Sequence, residues 1–161
     1  MDKKPIKRNE NILKLSRDHH ASLLFCWKLR QGIKQHASAE RMIKYAQYFL
    51  KAHFNPHFKE EEEILFSPLK DKAVQKAIDD HKRIKMLINE LSSGSTENQH
   101  EQLFVLADLV DEHVRYEERI LFPHLEEKLS EEQLENIGKQ ISGEPLKDNF
   151  KDPFWIKSTS L

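Results

Sequence analysis

One pattern in this chain places polar residues on the buried side of a helix, and it occurs twice. Residues 57–68 read HFKEEEEILFSP and residues 113–123 read HVRYEERILFP. Aligned on the histidine, both copies run His-x-x-x-Glu-Glu-x-x-Leu-Phe and then reach a proline. The matched residues are His57 and His113, Glu61 and Glu117, Glu62 and Glu118, Leu65 and Leu121, and Phe66 and Phe122. Four residues are about one helical turn, so each histidine shares a face with the first glutamate. Leu65 and Leu121 continue that stripe at i+8, which makes it the apolar, core-facing side. Each copy therefore aims an imidazole and a carboxylate inward. A buried carboxylate without compensation costs several kcal/mol, and two at similar depth call for a shared cation. The plainer alternative leaves the glutamates in water and each histidine hydrogen-bonded, and it has to explain the repeat twice over.

The rest of the chain fits a helical frame around those copies. Its 161 residues are enough for one domain with a real core, while 4 glycines and 33% charged residues favour long solvated helices over a turn-rich β fold. A net charge of −1 with interspersed signs gives no basic footprint for nucleic acid or an anionic membrane. Cys26 is alone, so no internal disulfide forms, in keeping with a reducing, cytoplasmic setting. The polar start MDKKPIKRNE lacks the apolar core of a signal peptide, and no run approaches the ~20 apolar residues of a membrane span.

Periodicity predicts a first helix from Asn9 or Asn11 to about Gln35, with Ile12, Leu15, His19, Leu23, Cys26 and Ile33 on one face. Rotation leaves open whether His19 or His20 points inward. Arg17 and Asp18 lie on the surface or orient a histidine. Ser38 caps a second helix carrying Met42, Tyr45, Phe49, His53 and His57, with Pro56 expected to kink or break it and Pro68 to end it. His53 is an additional candidate ligand or a packing residue. A third helix over 70–91 carries His81 among Val74, Ile78, Ile84 and Ile88. After the SSGSTENQ break, Thr96 and Gln99 read as a capping box for a fourth helix, which holds His113 and Glu117 and runs to about Leu129. Ser130 and Gln133 cap a short fifth helix to about Ile141.

The expected architecture is all-α: an up-down-up-down four-helix bundle with a short extra C-terminal helix over residues 1–143, and an irregular tail over 144–161. Phe150, Phe154 and Trp155 in that tail are expected on the bundle or at a homodimer contact. Each of the four long helices then offers an inward histidine and two offer an inward glutamate, which is how bundles build metal sites. Imidazole with carboxylate suits iron, zinc, manganese or copper. Six ligands exceed the need of one tetrahedral ion. Two ions bridged by Glu61 and Glu117 use them fully and keep a coordination position open. Without metal, the two glutamates are expected to lack a cation.

Taken together, LSRDHH at 15–20, HFKEEEEILF at 57–66, the lone His81 and HVRYEERILFP at 113–123 resemble the hemerythrin-like (HHE cation-binding) family, four-helix bundles with a non-haem di-iron centre. The resemblance covers residues 9–130. It implies His19, His57, His81 and His113 as terminal ligands, Glu61 and Glu117 as bridges, and two iron ions as the cofactor, with zinc or manganese as alternatives. Two departures stand out. The oxygen carriers of the family have a second third-helix histidine where this chain has Lys85, and an aspartate five residues after the fourth-helix histidine where this chain has Glu117 at four. The vacated place falls to His20, His53 or water. The functional expectation is a metal protein that binds O2, NO or iron for sensing, storage or redox protection. The alternatives are an enzyme of the same centre acting on peroxide or NO, and a helical interaction module with structural histidines. No nucleophile–base pair stands out, so any catalysis belongs to the metals.

Overall fold

The computed structural model describes residues 7–94, 97–141 and 143–157, and its described residues are all helix, turn and irregular chain with no strand. A 3-10 turn, Glu10–Ile12, leads into α1, Leu13–Lys34. Helix α2 spans 39–65, α3 is Lys72–Ser93, α4 spans 99–128 and α5 is Glu131–Gln140. The connections are short, so successive long helices run antiparallel as a four-helix bundle.

Local chemistry sets most of the boundaries. The Asn9 side chain accepts from the Asn11 amide at the start, and the Ser38 hydroxyl accepts from the Arg41 amide at 3.3 Å to open α2. Asp71 accepts from the Val74 amide at 3.0 Å to open α3, which Gly94 ends at φ 71°. Both halves of the Ser130–Gln133 capping box are formed at α5. The box expected at Thr96 lies outside the described residues. Helix α4 begins at Gln99 behind Asn98, whose backbone is left-handed at φ 57°.

Pro56 does not break α2, whose helical turns run on through it from residue 39 to residue 65. Proline removes an amide donor and crowds the carbonyl four residues back, here that of Ala52. The segment Leu50–Phe54 just ahead of it is a π turn, closed by the Asn55 amide on the Leu50 carbonyl. That wider turn accommodates the proline, and the helix continues beyond it. Helix α4 repeats the device, with a π turn at Glu117–Leu121 two residues before Pro123. A third π turn, Glu61–Leu65, closes α2 through the Phe66 amide on the Glu61 carbonyl at 2.8 Å.

The buried face of α1 also differs from expectation at one residue. Leu23 is 41% exposed, while Ser22 is buried. The inward series runs Leu15, Asp18, Ser22, Phe25, Leu29 and Gly32 at alternating steps of three and four, the heptad-like seam of bundle packing. Ser22 is polar but has a partner, with its hydroxyl 3.0 Å from His53 Nε2.

The apolar core falls into two clusters. One holds Phe25, Leu29, Tyr45, Phe49, Phe54, Phe58, Ile84, Leu106 and Val110. The other holds Ile12, Leu15, Leu65, Phe66, Val74, Leu121, Phe122, Leu134 and Ile137, the last two from α5. Residues 19, 57, 61, 81, 113 and 117 lie along their helices between members of the first cluster and members of the second. A polar layer thus cuts the bundle core in two.

The tail packs on the bundle. Phe154 is 1% exposed and sits where Gly32 leaves room, since a Cβ there would meet Met42 Sδ at 2.7 Å and Phe154 Cδ1 at 2.8 Å. Asp148 accepts from Lys28 Nζ at 2.9 Å and from the Tyr45 hydroxyl at 2.5 Å. Among the described residues, no helix is long and apolar enough to cross a membrane. Because Phe154 fills this seat within its own chain, Phe154→Ala should lower unfolding free energy by about 3–5 kcal/mol. Denaturant titration at two protein concentrations a hundredfold apart should give the same loss; a loss that shrinks on dilution would place the tail on a second copy.

Candidate metal centre

Six side chains meet inside the polar layer, all nearly inaccessible to solvent: His19, His57, Glu61, His81, His113 and Glu117. Helix α1 supplies His19, α2 His57 and Glu61, α3 His81, and α4 His113 and Glu117. They form two groups of four whose ligating atoms all lie within 4.8 Å of one another: His19, His57, Glu61 and Glu117, and Glu61, His81, His113 and Glu117. Both glutamates belong to both groups. His57 Nε2 is 3.3 Å and His81 Nε2 3.1 Å from Glu61 Oε1, while His19 Nε2 is 2.9 Å and His113 Nε2 3.2 Å from Glu117 Oε1.

The π turns help to set this geometry. In a regular α-helix, residues four apart drift by about 40° around the axis, and the drift doubles by i+8. The wider turns beginning at Glu61 and at Glu117 take up that drift, so Leu65 with Phe66 and Leu121 with Phe122 are all buried behind their glutamates. Such turns are frequent at functional sites.

A second ring surrounds the first. The Nδ1 atom of each histidine faces a carboxylate: His19 on Glu118 at 3.2 Å, His57 on Asp18 at 3.0 Å, His81 on Glu62 at 2.7 Å and His113 on Asp80 at 3.2 Å. A carboxylate there selects the tautomer with the proton on Nδ1, which leaves the Nε2 lone pair directed at the centre. The arrangement is a pseudo-twofold. Asp18 of α1 serves His57 of α2 as Asp80 of α3 serves His113 of α4, and Glu118 serves His19 as Glu62 serves His81. Lysines one turn upstream complete it, with Lys14 Nζ 3.0 Å from Asp18 and Lys76 Nζ 3.0 Å from Asp80.

This second ring had a signal in the sequence. Lys14-x-x-x-Asp18-His19 and Lys76-x-x-x-Asp80-His81 are a second internal repeat, Lys-x-x-x-Asp-His, which the search for inward apolar stripes passes over. The alternatives left open for the first and second helices stay outside the centre. His20 is exposed. His53 is buried but belongs to neither group of four, stacking on His57 at 5.6 Å between ring centroids and on Phe49 at 4.4 Å. Burial, then the neighbouring His57, pushes its pKa down to about 3. Lys85 holds its ammonium 5.8 Å above the Phe58 ring.

The donor atoms suit a cation. Eight buried side-chain N or O atoms among the described residues have no hydrogen-bond partner, and six of them are His57 Nε2, His81 Nε2, His113 Nε2, both Glu61 oxygens and Glu117 Oε2. Native interiors rarely leave such atoms unpaired, and here they point at one place. Nitrogen and oxygen donors without thiolate fit iron, manganese or zinc.

The electrostatics is mutual. Burial opposes charging of His19, yet its bonds to Glu117 and Glu118 outweigh it and push the pKa up to about 9. For His57, burial is again outweighed, by Glu61 and Asp18, to about 9. Burial would raise Glu117, but the imidazole of His113, the hydrogen bond from His19 and the nearby imidazole of His81 hold it well below the carboxylate range. The glutamates thus have a second source of positive charge, protonated imidazoles, in the absence of metal.

The comparison with known families agrees with the geometry. The profile of the hemerythrin HHE cation binding domain matches residues 11–125. The chain belongs to the hemerythrin HHE cation-binding family. The match takes in α1 to α3, α4 up to residue 125, and every residue of both rings. No curated protein and no solved structure gives a significant match. Metal binding by this hemerythrin-family domain thus has two supports, the family and the His/Glu groups.

Opposite pH trends follow for the two forms. In the metal-free protein His19 and His57 titrate near 9 rather than the unfolded ~6.5, so their contribution to stability is fully present below about pH 6.5 and is lost as pH rises through about 9. In the loaded protein a cation opposes protonation, so its contribution is present above about pH 6.5 and is lost on acidification. Thermal unfolding with a chelator should therefore weaken between pH 6.5 and 9, whereas with metal it should weaken below pH 6. A metal-free protein whose melting point climbs across pH 6.5–9 would contradict these ion pairs.

Proposed function

We propose that this hemerythrin-family domain holds two iron ions through His19, His57, His81, His113, Glu61 and Glu117, and uses them to bind a diatomic ligand, O2 or NO, in sensing or redox protection. The observation that carries the reading is the sharing of both glutamates by two His2Glu2 groups. One ion would leave two histidines unused, whereas two ions employ all six side chains, with each glutamate between them. Two histidines and two shared carboxylates per ion also leave coordination positions free for a small ligand.

A pair of iron ions supplies affinity for O2 or NO and electrons to reduce them. The protein's own part is to fix geometry and exclude bulk water. Asp18, Asp80, Glu62 and Glu118 hold the imidazole rings in one tautomer and one orientation. Phe58 stacks on His81 at 3.8 Å and Phe122 on His19 at 5.4 Å, which keeps the surroundings apolar. Such surroundings favour a small uncharged molecule over an ion. The lone, buried Cys26 supports a cytoplasmic, reducing setting for the reading.

Anaerobic Fe(II) loading followed by metal analysis should give about two ions per chain, and O2 or NO should then change the visible spectrum. Glu61→Gln should weaken both ions, since both groups contain Glu61, whereas Glu62→Gln should weaken binding only by roughly 10–100-fold, through His81. A folded protein that ignores Fe(II) would refute the proposal. Sustained consumption of peroxide or NO would turn it toward an enzyme of the same centre.

A further inference from the structure

The pseudo-twofold of the two rings is broken by the ends of the chain, which brace one half and leave the other alone. In the His19/His57 half, fully buried Asp18 accepts from His57, from Lys14, and also from the Leu146 backbone amide at 2.8 Å. That amide belongs to the C-terminal segment anchored by Asp148 on Lys28 and Tyr45. The same half has Glu118, which accepts from His19, from the Ser16 hydroxyl and from Arg8 Nη2 at 3.0 Å. Arg8 comes from the N-terminal segment, with its side chain 4% exposed. It also donates to the Glu118 carbonyl at 2.7 Å and pairs with Glu126.

The His81/His113 half has no equivalent among the described residues. Glu62, 32% exposed at its side chain, receives His81, and Asp80 receives His113 and a Lys76 whose side chain is 55% exposed. Among the described residues, neither the N-terminal nor the C-terminal segment donates to them. For an ion to leave, an imidazole must turn away, which means breaking its Nδ1 bond or moving the carboxylate that holds it. Braced carboxylates resist that movement; in the other half Glu62 is open to water, and Asp80, though buried, is held by side chains alone, one of them the exposed Lys76.

Resting on the two-iron reading above, we propose that the two metal positions are unequal by construction. The position between His19 and His57 fills first and releases last, and the position between His81 and His113 is the exchangeable one. The N- and C-terminal segments act as positioning elements for the first, Arg8 through Glu118 and the Leu146 amide through Asp18. Metal can then be lost or replaced at one position while the other keeps the shared glutamates charge-compensated.

The test is an anaerobic Fe(II) titration of the full chain by calorimetry, with circular dichroism to verify folding of each variant. The wild type should bind in two steps at least roughly 10-fold apart in affinity. His113→Ala should retain the tight step and His57→Ala the weak one. Two variants leave every ligand in place: Leu146→Pro, which deletes the donating amide, and Arg8→Gln. Each should weaken the tight step and narrow the gap, so the outcome does not depend on the ligand variants folding. Two equal steps, a tight step that disappears in His113→Ala, or a gap unchanged in both Leu146→Pro and Arg8→Gln would overturn the inequality while leaving the two-iron reading intact. Absence of any Fe(II) binding would overturn both.

Discussion

Glu61 and Glu117 are two carboxylates with no solvent exposure at the middle of a bundle, and the rest of the molecule is arranged to make that tolerable. A charge in such a place has to be matched by another charge or by a metal, since the desolvation penalty exceeds what neutral hydrogen bonds return. The four histidines meet the requirement in two ways, by carrying protons themselves or by sharing a cation with the glutamates. The apolar core divides around this layer into the Phe25–Phe49–Phe58 cluster on one side and the Leu65–Leu121–Phe122 cluster on the other. Packing on both sides holds the helices in register, and the register holds the layer together.

The twofold character of the centre extends from sequence to electrostatics. Two copies of His-x-x-x-Glu-Glu supply the inner ring of α2 and α4, and two copies of Lys-x-x-x-Asp-His supply α1 and α3. Each half orients the other helix of its own pair through an aspartate, and the opposite pair through a glutamate. Exchange of Glu62 and Glu118 across the bundle makes the two hairpins interdependent, so neither half of the centre forms from one hairpin alone. The prolines fit the same design. Pro56 and Pro123 each follow a π turn, and widened turns tolerate a missing amide that an α-helix interior does not.

The inner ring was legible in the sequence because its histidines and glutamates fall at helical spacing within an apolar stripe and the pattern recurs. His19 against His20 was not, since adjacent residues differ by only 100° and the stripe of α1 has a polar member, Ser22, where Leu23 looked the better fit. The outer carboxylates were half legible: Glu62 and Glu118 were visible as part of the repeat, while Asp18 and Asp80 sit beside their neighbouring histidines in sequence yet serve His57 and His113 on other helices. Such cross-helix pairing depends on packing, and no local pattern states it. The roles of Arg8 and of the Leu146 amide were invisible for the same reason, since a backbone donor from an irregular tail has no residue signature at all. Of the two outcomes expected at Pro56, the break does not occur, because a rule for α-helices does not anticipate a π turn.

The central claim is that two cations share Glu61 and Glu117, and anomalous diffraction from crystals of iron-loaded protein addresses it most directly. Data collected on either side of the iron edge should show two peaks about 3.5–4 Å apart, one beside His19 and His57, the other beside His81 and His113, with both glutamates between them. A single peak in the layer, or iron only at the surface while the layer keeps its imidazole–carboxylate contacts, would contradict the account.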